Sequence, residues 1–274
     1  MLYTLNRFSE AQKSPRRRRA ESNIEPGGPA AGKAREPEGR FTFMNSLLTP
    51  EQLEILRRLD ACTLANAIET FQVRLRNEGF ADNSIHCEFP KLPPLLGYAA
   101  TVKVRGSAPP TAESRYPDRT DWWDYILSLP APRVVVVQDV ATRVGLGSLL
   151  GAVHVNILRA LGCAGAITNG AVRDLPAAEK LGFQLFAGSI SVSHAYVHIV
   201  EFGTPVEIGG LGIRSGELVH GDLHGVQTIP SSIAKKVPLA AAEIVARDQE
   251  LIALCQSADF SLAKLRAAIA SPRP

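Results

Sequence analysis

Apolar residues recur with the spacing of an α-helix in LLTPEQLEILRRLDACTLANAIETF, which begins at Leu47. Positions 53, 55, 56 and 59 place leucine or isoleucine on one face of such a helix. Thr49 is predicted as its N-cap and Pro50 as its first residue, because both residue types are favoured at those positions. A second short helix is predicted from Thr63 to Phe71.

The middle of the chain alternates between strand and helix patterns. LGYAATVKVRG (96–106) alternates and ends in glycine, and RVVVVQDVA (133–141) is a β-branched run typical of a buried strand. A polar loop at 107–120 leads from the first strand into the helix DWWDYILSL, with Asp121 as its predicted N-cap. The next helix is predicted to begin near Ala152 and to end with Gly162 at C′. The strand AGAITNGAV, the helix LPAAEKLG and the strand FQLFAGSISV are predicted after it.

From residue 195 onward the pattern changes to short strands separated by glycine and proline turns. This pattern is typical of a mostly antiparallel β segment, and a helical tail is predicted from about 234 to 270. Strand–helix–strand units followed by a β-rich half predict an α/β fold: a single domain of layered β-sheets flanked by helices, with helical N- and C-terminal segments.

Residues 1–43 have no apolar periodicity and are rich in Arg, Pro, Gly, Glu and Ala, a composition typical of disorder. Residues 1–40 carry nine Lys or Arg against five Glu, whereas the remaining 234 residues carry 21 basic and 22 acidic ones. A disordered basic leader at 1–43 and a folded domain at 44–274 are therefore predicted. A basic address, an RNA-binding arm, a solvated tail and an extension upstream of a start at Met44 all stay open for the leader.

Composition excludes several classes of protein. No window of about 18 apolar residues is free of charge, so no membrane span is predicted. The nearly neutral charge of the folded part argues against a nucleic-acid partner. The four cysteines are scattered without a C-x-x-C pair, which predicts reduced thiols in a cytoplasmic protein rather than disulfides or a structural zinc site.

A glycine-rich corner from Gly145 to Gly151 follows a buried strand and precedes the helix that begins near Ala152. Free backbone amides at such a helix N-terminus suit a carboxylate or a phosphate. The alternative is that these glycines only relieve a tight turn.

A second corner presents Arg173 and Asp174 side by side between a strand and a helix. An aspartate can ligate a hard divalent cation, and an adjacent arginine can bind a carboxylate through two parallel hydrogen bonds. The alternative is that Asp174 caps the next helix, which has Pro176 in its first turn, while Arg173 pairs with a surface acid.

His194 and His198 are spaced like a metal-binding pair on a helix, but SVSHAYVHIVEFG has the pattern of a strand and supplies no third ligand. No histidine metal site is therefore expected. Cys163 follows the helix-ending Gly162 at the start of a buried strand and is predicted to lie in the core.

Two motifs at their mutual spacing resemble the RraA-like family. LGCAGAITNGAVRDLPAAEKLGFQLFAGSISV matches a strand that ends in D/N-G-x-V-R-D. GGLGIRSGELVHGDLHGVQTIP resembles a later P/S-G-D/E-x-V-x-x-D-x-x-G-V-x-x-P pattern, with three residues rather than two before its proline. The likeness covers roughly residues 55–255. The family contains the regulator of ribonuclease activity A and the class II 4-hydroxy-4-methyl-2-oxoglutarate aldolases. The resemblance implies a swivelling β/β/α fold and assembly as homotrimers or homohexamers.

The resemblance also implies an activity and a set of site residues. The activity is cleavage of a small 2-keto acid to pyruvate, or decarboxylation of oxaloacetate, with Mg²⁺ or Mn²⁺. By position, Asp174 would be the metal ligand, and Arg173 would contact the keto-acid oxygens and the developing enolate. The substrate carboxylate would lie on the backbone amides of Gly151, Ala152, Val153 and His154.

The chain departs from the family pattern at Ala152, where relatives commonly have an acid that holds a metal-bound water. Asp139, at the end of the preceding strand, is a candidate replacement. Family aldolases also take an acid from the C-terminal helix of a neighbouring subunit, and Asp248 and Glu250 are the candidates for that role in this chain.

Three functional hypotheses follow. The first is a divalent-metal-dependent lyase that acts on a small 2-keto acid. The second is a non-catalytic, protein-binding regulator of a ribonuclease on the same scaffold. The third is a lyase with a different acid as substrate, selected by Arg115 and Arg119 of the polar loop.

Overall fold

The computed structural model describes residues 48–111 and 116–270 of the 274-residue chain, and these residues belong to one compact unit. The leader predicted at 1–43 and Arg115 lie outside the described residues. The helices are α1 (Pro50–Arg58), α2 (Ala61–Glu69), α3 (Arg119–Ser128), α4 (Ala152–Ala160), α5 (Leu175–Lys180), α6 (Val237–Gln256) and α7 (Leu262–Ala270). The strands are β1 (His86–Cys87), β2 (Leu95–Arg105), β3 (Arg133–Asp139), β4 (Cys163–Val172), β5 (Gln184–Ile190), β6 (His198–Phe202), β7 (Val206–Ile208), β8 (Leu211–Ile213), β9 (Leu218–Asp222) and β10 (Gly225–Ile229).

One sheet of eight strands carries the fold: seven follow one another in the order β1-β5-β4-β3-β2-β9-β10, and the eighth, β6, also pairs with β2. The four central strands β2 to β5 run parallel, because a helix or a long loop carries the chain back between them. Strand β2 is long enough to hold two partners on its other edge: its first half pairs with β9 and its second half with β6, both antiparallel. Strands β7 and β8 form a separate small hairpin.

Helices cover one face of this sheet and the β7–β8 hairpin covers the other. Alternate residues of β3 divide between the faces, as a strand buried on both sides requires: Val135 and Val137 pack under the helices, whereas Val134 and Val136 face the hairpin. A third cluster joins α1, α2 and α6 to β9 and β10. The predicted α/β domain of layered sheets and flanking helices is confirmed.

Most of the predicted helices and strands are present, with ends that differ by a few residues from the predicted ones. Thr49 caps α1 in a capping box with Gln52, as predicted in part from the threonine and the proline that follows it. Helix α2 begins at Ala61, two residues before the predicted start, because Asp60 accepts a hydrogen bond from the Thr63 amide. The buried Asp222 adds a second cap by accepting from the Ala61 amide at 2.8 Å.

The predicted N-cap of α3, Asp121, is wrong. The cap is Asp118, whose carboxylate accepts from the Thr120 amide at 2.7 Å and from the Thr120 hydroxyl at 2.6 Å. The helix therefore begins at Arg119, inside the stretch predicted as loop, and Asp121 lies in its first turn.

The C-terminal helices form the predicted tail: α6 packs on α1 and α2, and α7 has contacts with α6 and no buried residue. Cys163 is buried as predicted, and all four cysteines are free. Across residues 48–111 and 116–270, no helix combines the length and apolarity needed to cross a membrane. The cytoplasmic location stays a prediction.

Candidate functional site

Three helices begin at one edge of the sheet. Strands β2, β3 and β4 run parallel and are followed by α3, α4 and α5, so the three helix N-termini lie at the carboxyl ends of these strands, which we term the carboxyl edge. All three helices pack on the same cluster of buried residues. Open α/β sheets bind ligands at this edge, because loops and free helix amides converge there.

Asp174 adopts an uncommon backbone conformation at this edge. Its φ of 56° and ψ of 38° are left-handed, which costs a non-glycine residue on the order of 1 kcal/mol, although aspartate tolerates it better than most. The side chain makes no capping hydrogen bond to α5, so the capping alternative is wrong for the carboxylate. Only the Asp174 carbonyl starts that helix, by accepting from the Ala177 amide at 2.9 Å.

The carboxylate of Asp174 instead caps the neighbouring helix α4. Its Oδ2 accepts from the Ala152 amide at 2.8 Å, across 22 residues of sequence. No hydrogen bond to Oδ1 occurs among the described residues, and the side chain is 42% exposed. One oxygen is thus held in place and the other has no partner among the described residues, an arrangement that suits a Mg²⁺ or Mn²⁺ ion whose other ligands are water and substrate.

Arg173 lies beside this carboxylate, with its Nε 3.5 Å from Asp174 Oδ2 and its side chain 30% exposed. A pair this long and this exposed contributes little to stability, so the guanidinium keeps its capacity to bind a ligand anion. The Arg173 amide donates to the Leu150 carbonyl at 3.1 Å, which holds the arginine against the corner before α4.

Gly151 allows this close approach. Its φ of −115° is open to any residue, but a Cβ added there would lie 2.7 Å from Arg173 Nε and 2.9 Å from Asp174 Oδ2. The glycine is therefore required by the two functional side chains and not by its own backbone. The sequence pattern predicted a glycine-rich corner here but did not indicate that the side chains of Arg173 and Asp174 leave no room for a Cβ at Gly151.

The N-terminus of α4 keeps part of its predicted anion-binding capacity. The Ala152 amide is taken by Asp174, whereas the amides of Val153 and His154 have no acceptor among the described residues. These two donors and the helix dipole remain for a carboxylate.

His154 is a neutral imidazole at physiological pH. Burial lowers its pKa to about 4, and the positive charges of Arg119 and Arg173 add to the shift. Both guanidinium groups therefore act on the same imidazole, which places positive charge from α3 and from the β4–α5 corner around the start of α4.

Asp139 is buried and builds the loop that leads to α4. Its Oδ1 accepts from the Ala141 amide and its Oδ2 from the Gly145 amide, each at 2.9 Å. Asn169 on β4 holds the same residue by accepting from the Asp139 amide at 2.7 Å and donating to its carbonyl at 3.1 Å. Asn169 is a positioning residue that the pattern missed. The role of Asp139 as a substitute for the acid absent at 152 stays a prediction.

The strand predicted for SVSHAYVHIVEFG is shorter in the structure and includes only the second histidine of the pair. His194 lies in an irregular segment and His198 begins β6, and each Nδ1 hydrogen-bonds a nearby backbone carbonyl, of Ala195 and Tyr196 respectively, at 2.8 Å. Within the described ranges, no group of three or more His, Cys, Asp or Glu side chains could hold a metal. A divalent ion at Asp174 would therefore have fewer than three such ligands from the described residues.

Asp248 and Glu250 are exposed on α6, which packs on α1 and α2 rather than at the carboxyl edge. Within one chain they are not brought to Arg173 and Asp174. Their predicted role requires a neighbouring subunit and stays a prediction.

One curated relative matches part of the chain. A protein of Halalkalibacterium halodurans named "Putative 4-hydroxy-4-methyl-2-oxoglutarate aldolase" is 31% identical over 103 residues, which are 37% of this chain and 49% of the relative. The aligned region thus spans about half of that relative.

Solved structures share the fold. An uncharacterized protein from Pseudomonas syringae pv. tomato superposes with a TM-score of 0.64 at 20% identity, over 85% of this chain and 99% of the other. Streptomyces coelicolor RraAS2, titled an unusual member of the RNase ES inhibitor RraA protein family, gives 0.58 at 20% identity, over 74% and 96%. The model of the RraA-like family, described as Aldolase/RraA, matches residues 61–227, more than half of the chain. The chain therefore belongs to the RraA-like family.

Proposed function

We propose that the protein is a divalent-metal-dependent lyase that cleaves or decarboxylates a small 2-keto acid through a pyruvate enolate. The observation that carries the proposal is the Asp174 carboxylate, held by the Ala152 amide through one oxygen and open at the other, beside the Arg173 guanidinium. The name of the relative from Halalkalibacterium halodurans supports the same class of reaction.

Each group at the carboxyl edge has a role in this reaction. The amides of Val153 and His154 bind the carboxylate next to the keto group, and Arg173 donates to the keto oxygen. When bound through Asp174, Mg²⁺ or Mn²⁺ supplies further positive charge at that oxygen. The bond between C3 and C4 breaks and its electron pair forms the enolate. The other fragment leaves as CO₂, or as a carbonyl compound once water has taken the proton of its hydroxyl group, and water then returns a proton to C3 to give pyruvate. Arg173 stabilises the enolate oxygen, where the negative charge develops.

The proposed assembly is a homotrimer or homohexamer in which Asp248 or Glu250 reaches the site of a neighbouring subunit. Exposed apolar side chains beside the site support an interface there, since Val153, Ile190 and Val192 are 72%, 62% and 99% exposed.

A second candidate function is protein binding without catalysis, as a regulator of a ribonuclease. The observation that favours it is Ala152, which removes an acid that the resemblance implies for a catalytic site. Inhibition of a ribonuclease that persists after Asp174→Asn would support this candidate, because its contacts need no metal ligand.

The direct test is a coupled pyruvate-release assay with oxaloacetate and 4-hydroxy-4-methyl-2-oxoglutarate, with and without Mn²⁺. We expect protein-dependent release that is lost with a chelator and restored by the metal. Mn²⁺ without protein is the control, because the ion alone decarboxylates oxaloacetate. No release above that control from either substrate would contradict the proposal.

Restoring the acid at position 152 is expected to raise activity. Ala152→Glu should increase kcat/KM by about 10–100-fold, the usual worth of a group that orients a metal-bound ligand, and an acid in the first turn also suits the helix dipole. Ala160→Glu is the matched control, because it makes the same change at an exposed residue at the other end of the same helix. An unchanged rate in Ala152→Glu would show that the wild-type site does not lack this acid.

A further inference from the structure

Two described residues between β2 and α3, Thr111 and Tyr116, make contacts near the carboxyl edge. The ring of Tyr116 packs edge-on against His198, with centroids 4.6 Å apart, and the Thr111 amide donates to the Tyr116 hydroxyl at 3.3 Å. His198 is itself paired with Arg105, the last residue of β2. The residues that lead into α3 are thus held where the parallel strand β2 ends.

Arg119 is the first residue of α3 and therefore lies at this edge. The Asp118 cap fixes the helix start, and Trp122 and Ile126 fix the helix body by packing in the same buried cluster as Val155 of α4. Helices α3 and α4 consequently cover the same sheet face and begin at the same edge.

The Arg119 side chain is exposed and has no carboxylate within 4.0 Å among the described residues. The Oδ1 of Asp118 accepts from Thr120, and the Asp118 carboxylate interacts with the charge of Arg119 without an ion pair within 4.0 Å. The charge of Arg119 reaches the site, because it acts on the half-buried His154 together with that of Arg173. Two guanidinium groups on separate elements thus flank the start of α4, which suits a ligand with two separated anionic groups.

We propose that Arg119 is a specificity-determining residue that binds the carboxylate at the far end of the substrate from the keto acid. The inference rests on the proposed function, because Arg173 and the α4 amides are taken to hold the keto-acid end. Arg119, the first residue of α3, thus makes the enzyme prefer a dicarboxylic over a monocarboxylic 2-keto acid.

The kinetic test compares 4-hydroxy-4-methyl-2-oxoglutarate, which has a far carboxylate, with 4-hydroxy-2-oxopentanoate, which has none. In Arg119→Met, kcat/KM for the dicarboxylic substrate should fall about 10–100-fold, mainly through KM, and should change less than about threefold for the other. Arg119→Lys should recover part of the loss, and Arg159→Met, an exposed arginine in the last turn of α4, should change neither value. Equal losses on both substrates would overturn the proposal.

A binding measurement keeps this inference separate from the proposed function. With Mn²⁺ present, calorimetry should show tighter binding of 2-oxoglutarate than of 2-oxobutanoate in the wild type, and Arg119→Met should remove the difference. Suppose that the wild type releases no pyruvate but that Arg119→Met still removes the preference for 2-oxoglutarate. That result would support the role of Arg119 in binding the far carboxylate and would reject the proposed lyase activity. A preference that is absent in the wild type, or unchanged in Arg119→Met, would reject the role of Arg119 whatever the activity.

Discussion

Asp174→Asn is expected to lower kcat/KM for metal-dependent pyruvate release by about a thousandfold, because it removes the carboxylate that holds the ion in the proposed site. The substitution is close to isosteric. Asparagine tolerates the left-handed backbone at φ 56°, and its side-chain carbonyl can still accept from the Ala152 amide. The fold and the cap of α4 should therefore persist while the ion is lost.

Two further readouts separate this loss from unfolding. Calorimetric Mn²⁺ binding should weaken by at least about tenfold, and the midpoint of thermal unfolding should stay within a few degrees of the wild type. Glu179→Gln is the matched control, since it removes one exposed carboxylate from α5 at a distance from the ion. Pyruvate release at the wild-type rate in Asp174→Asn would exclude Asp174 as the metal ligand. The metal-dependent mechanism proposed for this site would then be wrong.

The sheet could be predicted because its strands are encoded locally. The unbroken Val134–Val137 run has too many β-branched residues for a solvent-facing strand, and it proves to be buried on both faces. Helix ends were predicted less well where two caps compete. Asp118 and Asp121 both satisfy the local rule, and in the structure the helix begins after the earlier one, whose carboxylate accepts from the Thr120 amide.

The site could be predicted only as two separate corners. Local rules assign the Asp174 carboxylate to its own helix, but the structure gives it to Ala152, which lies far away in sequence and adjacent in space. The bond arises because β3 and β4 are parallel neighbours whose ends meet at one edge. Asn169 was missed for the same reason: its two hydrogen bonds to Asp139 cross from one strand to the next.

Gly151→Ala is expected to lower kcat/KM by about 10–100-fold with little loss of stability. The new Cβ would stand 2.7 Å from Arg173 Nε and 2.9 Å from Asp174 Oδ2, so both functional groups must move. Displacements of about 1 Å in positioning groups cost rates of this order. Stability changes little because both atoms belong to partly exposed side chains that can yield, and alanine accepts the backbone at φ −115° and ψ −178°.

Gly212→Ala separates this effect from the general cost of adding a methyl group. Gly212 lies in β8, and a Cβ there would meet no atom within 4 Å, so activity and unfolding midpoint should both match the wild type. The decisive comparison is between the change in kcat/KM and the change in unfolding midpoint, measured for each of the two variants. If Gly151→Ala kept full activity, the reaction would not depend on the positions of Arg173 and Asp174. The proposed roles of these two residues in binding the keto acid and the metal would then be wrong. If it lost activity only in proportion to folded protein, the glycine would serve packing and not the site.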